Sequence, residues 1–494
     1  MESVRRAQGC WTCKRRKIGC DRHYPACDNC LRTGRECLGY GIRLAWPDQP
    51  DGRRRLSRLP DHTIHHHEID SAYYGKQFLN VTYSDLAVAR KGVSPIGLSL
   101  IRCQPRPSRT VPIFPNFHEK ESHLLGYYKT RLSSMISTID VHNGFRDDLL
   151  PMALSTHGAT SDGLRNAILA LSAFHLWGAE HALSYKAEAL RSFRSSIGRD
   201  SPGITETQLA TSMMLCVYNV FDETEGNWGL HLAGAQVILR ELAEIHGGQL
   251  RYGFLYTWFL YHEILGSFSQ PLLYGPEGPA SLKLLHDTAF DKSQIIGSLG
   301  CSVEVMEIIS YANGLRAAEL RGVPAGLSPE ERAQKADEWH MIQNRITKLE
   351  QHLHPADASI LAPRERTRIY TTAELYRIAA LLYLLRTGES AQNQDLRSMY
   401  LDEAFKALGR LEVCTSPWPL FVIACETESD HQRIMILQTL DRMDDTRHIG
   451  NVFVLRGIIE SFWKQQDLQA DSGRNTNIKW WNVVNLNIPA PWCI

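Results

Sequence analysis

Six of the chain's twelve cysteines fall between residues 10 and 37, at Cys10, Cys13, Cys20, Cys27, Cys30 and Cys37. The pattern C-x2-C-x6-C is thus written twice, with six residues between the copies. A segment this short has room for almost no apolar core, so the chemistry of these thiols decides whether it folds. Met1–Arg6 leads straight into cysteines and charges without an apolar leader, and no run of roughly 18 uncharged apolar residues follows anywhere. The expectation is an intracellular protein with reduced thiols, in which paired CxxC units read as metal ligands before disulfides.

Zinc takes four ligands in a tetrahedron, and six cysteines cannot give two ions four private thiolates each. The count closes if two thiolates bridge. The internal symmetry places the bridges at the first cysteine of each half, Cys10 and Cys27. One Zn²⁺ then takes Cys10, Cys13, Cys20 and Cys27, and the second takes Cys10, Cys27, Cys30 and Cys37. Six thiolates and two Zn²⁺ carry a net charge of −2, which Lys14, Arg15, Arg16, Lys17, Arg22, Arg32 and Arg35 more than offset. Each half is expected to start a short helix, over Cys10–Lys17 and over Cys27–Thr33, with Gly34 as a stop and Tyr24-Pro25 turning the chain between them. The Trp11 ring is expected to pack on the cluster.

Charge separates this segment from the rest. Residues 1–60 hold 14 Lys/Arg against 6 Asp/Glu, whereas the whole chain holds 54 of each. A basic head on an acidic body suggests a polyanion-binding module joined to something else. A redox CxxC would sit near a βαβ pattern, and a metal store would lack the basic run. The serious competitor is a zinc-stapled protein-interaction scaffold without specific DNA readout.

The segment Gly9–Pro47 resembles the fungal Zn2Cys6 binuclear-cluster DNA-binding domain, through its six spaced cysteines, the basic run before the third and the proline two residues before the fourth. Its extension "CLGYGIRLAWP" is similar to the subgroup that includes the arginine-metabolism regulators. The resemblance implies a nuclear regulator of RNA polymerase II transcription that binds double-stranded DNA. The end of its first helix would enter the major groove and read a CGG-type triplet. The basic pair at the matching positions is Arg16 and Lys17, and Arg or Lys to guanine O6/N7 suits such a triplet. Lys14, Arg15, Arg22 and Arg32 would contact phosphates, which position the module without specifying sequence. Residues 1–45 are assigned to this domain.

Residues 46–118 read as a largely irregular linker. Its basic patch "RRRLSR" at 53–58 is either a nuclear-localisation or phosphate-contacting patch or a solvated run of charge. No apolar heptad is sustained over 41–110, so no coiled coil is expected directly after the zinc segment and dimerisation is left open. "HTIHHHEID" at 62–70 reads as an exposed polar loop rather than a metal site, and the sequon at Asn80 has no meaning in a protein that is not secreted.

Residues 119–494 are assigned to an all-α region. "LRNAILALSAFHLWG" (164–178) is apolar nearly all round, and "EHALSYKAEALRSFRSSI" follows after one glycine as the return arm of an αα-hairpin. "TETQLATSMMLCVYNVFDE" and "NWGLHLAGAQVILREL" read as a second pair broken near Gly226. Further helices are expected at 303–321, 329–354, 366–387, 395–413, 428–446 and 451–468. Ser328-Pro329-Glu330-Glu331 is the start signal of one of them. Trp339, Ile342, Ile346, Leu349 and Leu353 repeat at coiled-coil spacing, but over two heptads only, which favours packing within the chain. The scattered Cys103, Cys216, Cys301, Cys414, Cys425 and Cys493 are expected to be buried small apolar residues.

The same region resembles the fungal-specific transcription-factor regulatory domain, through "NGFRDDLLPMAL" (143–154), "LRNAILALSAFHL" (164–176), "MLCVYNVFD" with "NWGLHLAGAQVIL" (214–239) and "WPLFVIACETE" (418–428). That implies a helical domain controlling activation through a small effector or a partner of the transcription machinery, and it supplies no ligand-contacting residues. No Gly-rich phosphate loop, HExxH or GxSxG occurs, so no enzyme activity is expected. His175, His181, His231 and His262 read as core histidines, and "ETESD" (426–430) and "DRMDD" (441–445) as solvated helix ends.

Overall fold

The computed structural model describes residues 9–39, except 22 and 24, and residues 118–483 less 156–157, 198–202, 223–227, 248–249, 251–252, 273–280, 286–289, 323–327, 389–391, 428 and 472–478. The expected linker at 46–118 apart from His118, its basic patch, the histidine run, Asn80, Arg22, Tyr24, Cys103 and Cys493 lie outside the described residues. The chain divides into two compact units, Met1–Arg102 and Cys103–Ile494, each described separately here.

In the first unit the described residues form two one-turn helices, α1 (Trp11–Arg15) and α2 (Asp28–Arg32). The second unit is all-α. Among its described residues the only β pairing is three isolated bridges.

The second unit opens with α3 (Glu119–Tyr127) and builds its first layer from α4 (Ala159–Trp177) and α5 (Ala179–Ser196). These two turn on Gly178 at φ +89°, which a side chain would oppose. They return so closely that a Cβ added at Gly163 would lie 3.5 Å from the backbone nitrogen of Phe193. The expected second pair follows as α6 (Glu206–Phe221) and α7 (Trp228–Ile245), locked by a hydrogen bond from Ser212 Oγ to the His231 carbonyl at 2.7 Å.

The next helix, α8 (Phe254–Ser269), is absent from the sequence expectations. Fourteen of its sixteen residues are buried, so it has no polar face and shows no 3.6-residue contrast. The remaining layers are α9 (Val303–Leu320), α10 (Pro329–Lys348), α11 (Pro363–Thr387), α12 (Gln392–Leu408), α13 (Pro417–Glu426), α14 (Asp430–Arg447) and α15 (Gly450–Asp471). Helix α11 forms the spine, packing against α9, α10, α12 and α13. Every residue of α13 is buried. Its Trp418 sits among Phe268, Tyr376, Tyr383 and other aromatic rings. Arg316 is wholly buried between Phe268 and Trp480, with its guanidinium 4.8 Å from each ring centre.

Ser328 caps α10 as its sequence signals: Ser328 Oγ accepts from the Glu331 amide at 3.1 Å, and Glu331 Oε2 accepts from the Ser328 amide at 2.8 Å. The helix nevertheless ends at Lys348, six residues short of the expected 354. Residues after it run extended, and the Ile295 amide donates to the His352 carbonyl at 2.8 Å. Trp339, Ile342 and Ile346 therefore turn one helical face to the core while Leu349 and Leu353 reach it from an extended segment, so the apparent seam is intramolecular.

Two more expectations are corrected. Glu426 is not a solvated helix end but 4% exposed, paired with Arg386 and Arg397. His181 is exposed, its ring edge-on to Trp177, because it lies on the outer face of α5. Cys216, Cys301, Cys414 and Cys425 are buried, as expected.

His262 is the most deeply buried of the four histidines. Its Nδ1 lies 3.1 Å from the Trp258 carbonyl and its Nε2 has no hydrogen-bond partner. Desolvation pulls it down to about 4, and His175 is lowered for the same reason. Both are neutral when folded near neutral pH, so stability is full above the unfolded histidine value of about 6.5. As pH falls below that, the unfolded chain takes up protons that the folded chain refuses. The expected loss from His262 is about 1.4 kcal/mol per pH unit until pH 4 is approached. Melting of the wild-type chain against His262→Gln between pH 7 and 4 checks this. An equal acid dependence in both would disprove it.

Candidate metal and nucleic-acid interface

Both C-x2-C-x6-C halves fold the same way. Cys10 is the N-cap of α1, its Sγ accepting from the Cys13 amide at 3.4 Å, and Cys27 is the N-cap residue of α2. Each helix is closed by the same pair of reversed hydrogen bonds. In the first half Lys17 N donates to Lys14 O (3.2 Å) and Ile18 N to Cys13 O (3.2 Å). In the second, Gly34 N donates to Leu31 O (3.1 Å) and Arg35 N to Cys30 O (3.0 Å). This closure needs a left-handed residue, and glycine supplies it at φ +60° in the second half. At the equivalent place in the first half stands Lys17, at φ +55°. A side chain there costs about 1 kcal/mol or more relative to glycine. The helices span Trp11–Arg15 and Asp28–Arg32, slightly inside the expected limits, and Gly34 is the expected stop.

Side chains outside the repeat tie the halves together. Asp21 caps α2 from a distance, its Oδ2 accepting from the Asp28 amide at 2.7 Å and Oδ1 from the Asn29 amide at 3.3 Å. These bonds hold the Asp21 carboxyl below its ordinary value. Asn29 Nδ2 donates to the Gly19 carbonyl at 2.7 Å. Thr12 Oγ1 donates to the Glu36 carbonyl and accepts from the Leu38 amide.

The six sulfurs gather into two overlapping sets of four, Cys10/Cys13/Cys20/Cys27 and Cys10/Cys27/Cys30/Cys37, each within 4.8 Å. These are the groupings expected from the internal symmetry of the two halves. Separations are 3.5 Å for Cys10–Cys27, 3.6 Å for Cys13–Cys27 and 3.8 Å for Cys10–Cys30. A tetrahedral zinc with Zn–S bonds near 2.3 Å places its sulfurs roughly 3.8 Å apart, so the donor set fits the ion. Burial pushes the Cys10 thiol up to about 12 and raises Cys13 and Cys27, whereas the amides of Cys27 and Gly39 lower Cys37. A bound dication offsets the desolvation that keeps these thiols protonated.

Lys14, Arg15, Arg16, Lys17, Arg32 and Arg35 are all exposed, so the end of α1 and the turn after it form a basic face. Arg32 Nη2 donates to Asn29 Oδ1 at 3.2 Å. Trp11 departs from expectation: it is not among the side chains packed on the sulfurs. It is half-buried and lies under the Lys14 ammonium, 4.5 Å from its ring centre. Sequence reasoning missed the Asp21 cap, for which it had no signal. It also missed the strain at Lys17, which superposing the two halves and matching Lys17 to Gly34 would have exposed.

The model of the fungal Zn(2)-Cys(6) binuclear cluster domain matches residues 8–47, and that of the fungal specific transcription factor domain matches residues 123–490. The chain is 25% identical over 366 residues to the transcription factor iacI of Pestalotiopsis fici, covering 70% of this chain and 88% of that protein. Two further relatives match over a short stretch. Arginine metabolism regulation protein II of Saccharomyces cerevisiae is 47% identical over 38 residues, 8% of this chain and 4% of that protein. Acriflavine sensitivity control protein acr-2 of Neurospora crassa is 42% identical over 45 residues, 9% of this chain and 8% of that protein. No solved structure matches this chain. Among the described residues no helix is long and apolar enough to cross a membrane.

Proposed function

Because this chain belongs to the fungal specific transcription factors and carries their Zn(2)-Cys(6) binuclear cluster, we propose that it reads CGG-like triplets in duplex DNA through Arg16 and Lys17 and regulates RNA polymerase II transcription in the nucleus. DNA binding, transcriptional regulation and two zinc ions come with the family, which is one of regulators rather than enzymes. In this reading Cys10 and Cys27 bridge the two ions, Cys13 and Cys20 complete one site, and Cys30 and Cys37 complete the other. Zinc supplies the cross-link that folds the module. Residues 1–45 bind DNA, 46–118 link, and 119–494 form the regulatory region, which answers to a small effector or a co-regulator. Lys14, Arg15, Arg22 and Arg32 bind phosphate.

The observation that carries the reading is Lys17. A left-handed site that takes glycine in one half holds a lysine in the other, at the exposed end of the basic helix. Strain of this kind persists where the side chain has work to do.

That makes a discriminating test. Lys17→Gly should relieve the strain and stabilise the module by about 1 kcal/mol. It should nonetheless lose about 1–3 kcal/mol of preference for CGG-containing over scrambled DNA, as should Arg16→Ala. Titration of the full-length zinc-loaded variants against both duplexes measures this. Undiminished preference in both variants would leave a zinc-stapled protein-interaction module as the better reading.

A further inference from the structure

The helical unit contains a half-open cavity of about 90 Å³, walled by aromatic rings including Phe145, Phe221, Trp258, Tyr261 and Tyr376. None of its lining residues is acidic, and its one charged side chain is Arg447.

Arg447 is the last residue of α14 and is 9% exposed. Its Nη1 donates to the Thr415 carbonyl at 2.5 Å and its Nη2 to the Met135 carbonyl at 2.8 Å. Nε has no hydrogen-bond partner. Burial disfavours its charge, and the titratable groups beside it are the Tyr261 and Tyr376 hydroxyls and the Cys414 thiol rather than a carboxylate. Two other buried arginines, Arg386 and Arg397, instead share the Glu426 carboxylate. Two further lining atoms, Thr415 Oγ1 and His262 Nε2, also lack partners. Tyr261 and Tyr376 hold their hydroxyls 3.2 Å apart on the same wall.

A buried guanidinium without a carboxylate is costly unless an anion completes it, and an apolar pocket with a few convergent polar groups is the usual form of a small-molecule site. We propose that this cavity is an effector site for a small organic carboxylate with an aromatic or branched apolar body, whose carboxylate pairs with the Arg447 guanidinium. This deepens the regulatory reading of residues 119–494 and rests on it. Binding there bears on regulation because Arg447 joins three segments, the end of α14, the turn entering α13 and the residues around Met135. An anion on its free edge would tighten that junction.

The test uses the full zinc-loaded chain with benzoate, phenylacetate and 3-methylbutanoate, each against its primary amide. Thermal melting and calorimetry give the readout. The acids are expected to raise the melting temperature of the helical unit and to bind at least about tenfold more tightly than the amides. Arg447→Gln should abolish that preference. If Arg447→Gln does not fold, Val220→Phe, which fills the cavity from another wall, should abolish binding of acid and amide alike. The comparison of acids with amides on the unaltered chain needs no variant. Equal binding of both, or no effect of any acid, overturns the site, and CGG binding by the same samples would show the DNA reading intact. Binding of acids that leaves a CGG-driven reporter unchanged in wild type and Arg447→Gln overturns the effector role.

Discussion

Chelating zinc from the full-length protein is expected to unfold residues 9–39 and abolish DNA binding while the helical unit melts unchanged. The reason is the make-up of the module's interior. Among the described residues of 9–39 the buried side chains are Cys10, Cys13, Cys27 and Cys30, with Cys20 and Cys37 packed against them. Of its larger aliphatic residues, Ile18 and Leu31 are 41% and 63% exposed and Leu38 is half-buried. Without metal this interior is a set of desolvated thiols and two one-turn helices too short to persist in water. Structural zinc contributes on the order of 10–16 kcal/mol in small modules at neutral pH, far more than the remaining contacts supply. Hydrogen exchange should show protection in 9–39 lost on chelation and restored by zinc alone. Native mass spectrometry should show two ions per chain. If Cys27 bridges as proposed, Cys27→Ser should reduce both sites, whereas two ions retained in that variant would refute the shared-ligand arrangement.

Glu426→Ala is expected to be the most damaging single substitution in the helical unit, at about 3–5 kcal/mol. Glu426 Oε1 accepts from Arg386 Nε at 2.8 Å and Oε2 from Arg386 Nη2 at 2.6 Å, while Arg397 Nε lies 3.2 Å from Oε2. The three side chains are 4%, 7% and 11% exposed, and they come from α13, α11 and α12. Removing the carboxylate strands two guanidiniums where water cannot replace it. Glu426→Gln keeps the shape and part of the hydrogen bonding and should cost less. Denaturant unfolding of both variants against wild type measures the difference. A loss below about 1 kcal/mol for Glu426→Ala would mean the pair is solvated, against the burial seen here.

The metal module was almost wholly legible in the sequence. Ligand number is a property of zinc and six thiols are a property of the chain, so the two-ion stoichiometry follows from residue type and count. Helix starts with local chemistry were legible too: Ser328 and Glu331 cap one another because the three-residue spacing alone brings them together. Helix α8 was not, because a helix buried on all sides carries no periodic contrast. The end of α10 was not either. Residues 349–353 have helical spacing of apolar side chains, but the backbone beside Gln294 and Ile295 offers hydrogen bonds that an extended chain takes instead.

Charge shows the division most sharply. In the sequence Glu426 and Arg447 are ordinary charged residues near helix ends, and nothing local separates them from Asp444 or Arg442. Folding buries both, gives Glu426 two arginines, and gives Arg447 only carbonyls and a cavity. The sequence by itself determined the two-zinc module, its basic face and the helical class of the rest, because these depend on residue type and short spacing. Tertiary structure alone decided which buried charges meet a carboxylate, as Arg386 and Arg397 do, and which rest on backbone carbonyls, as Arg447 does, because charge pairing in a core depends on neighbours brought from distant parts of the chain.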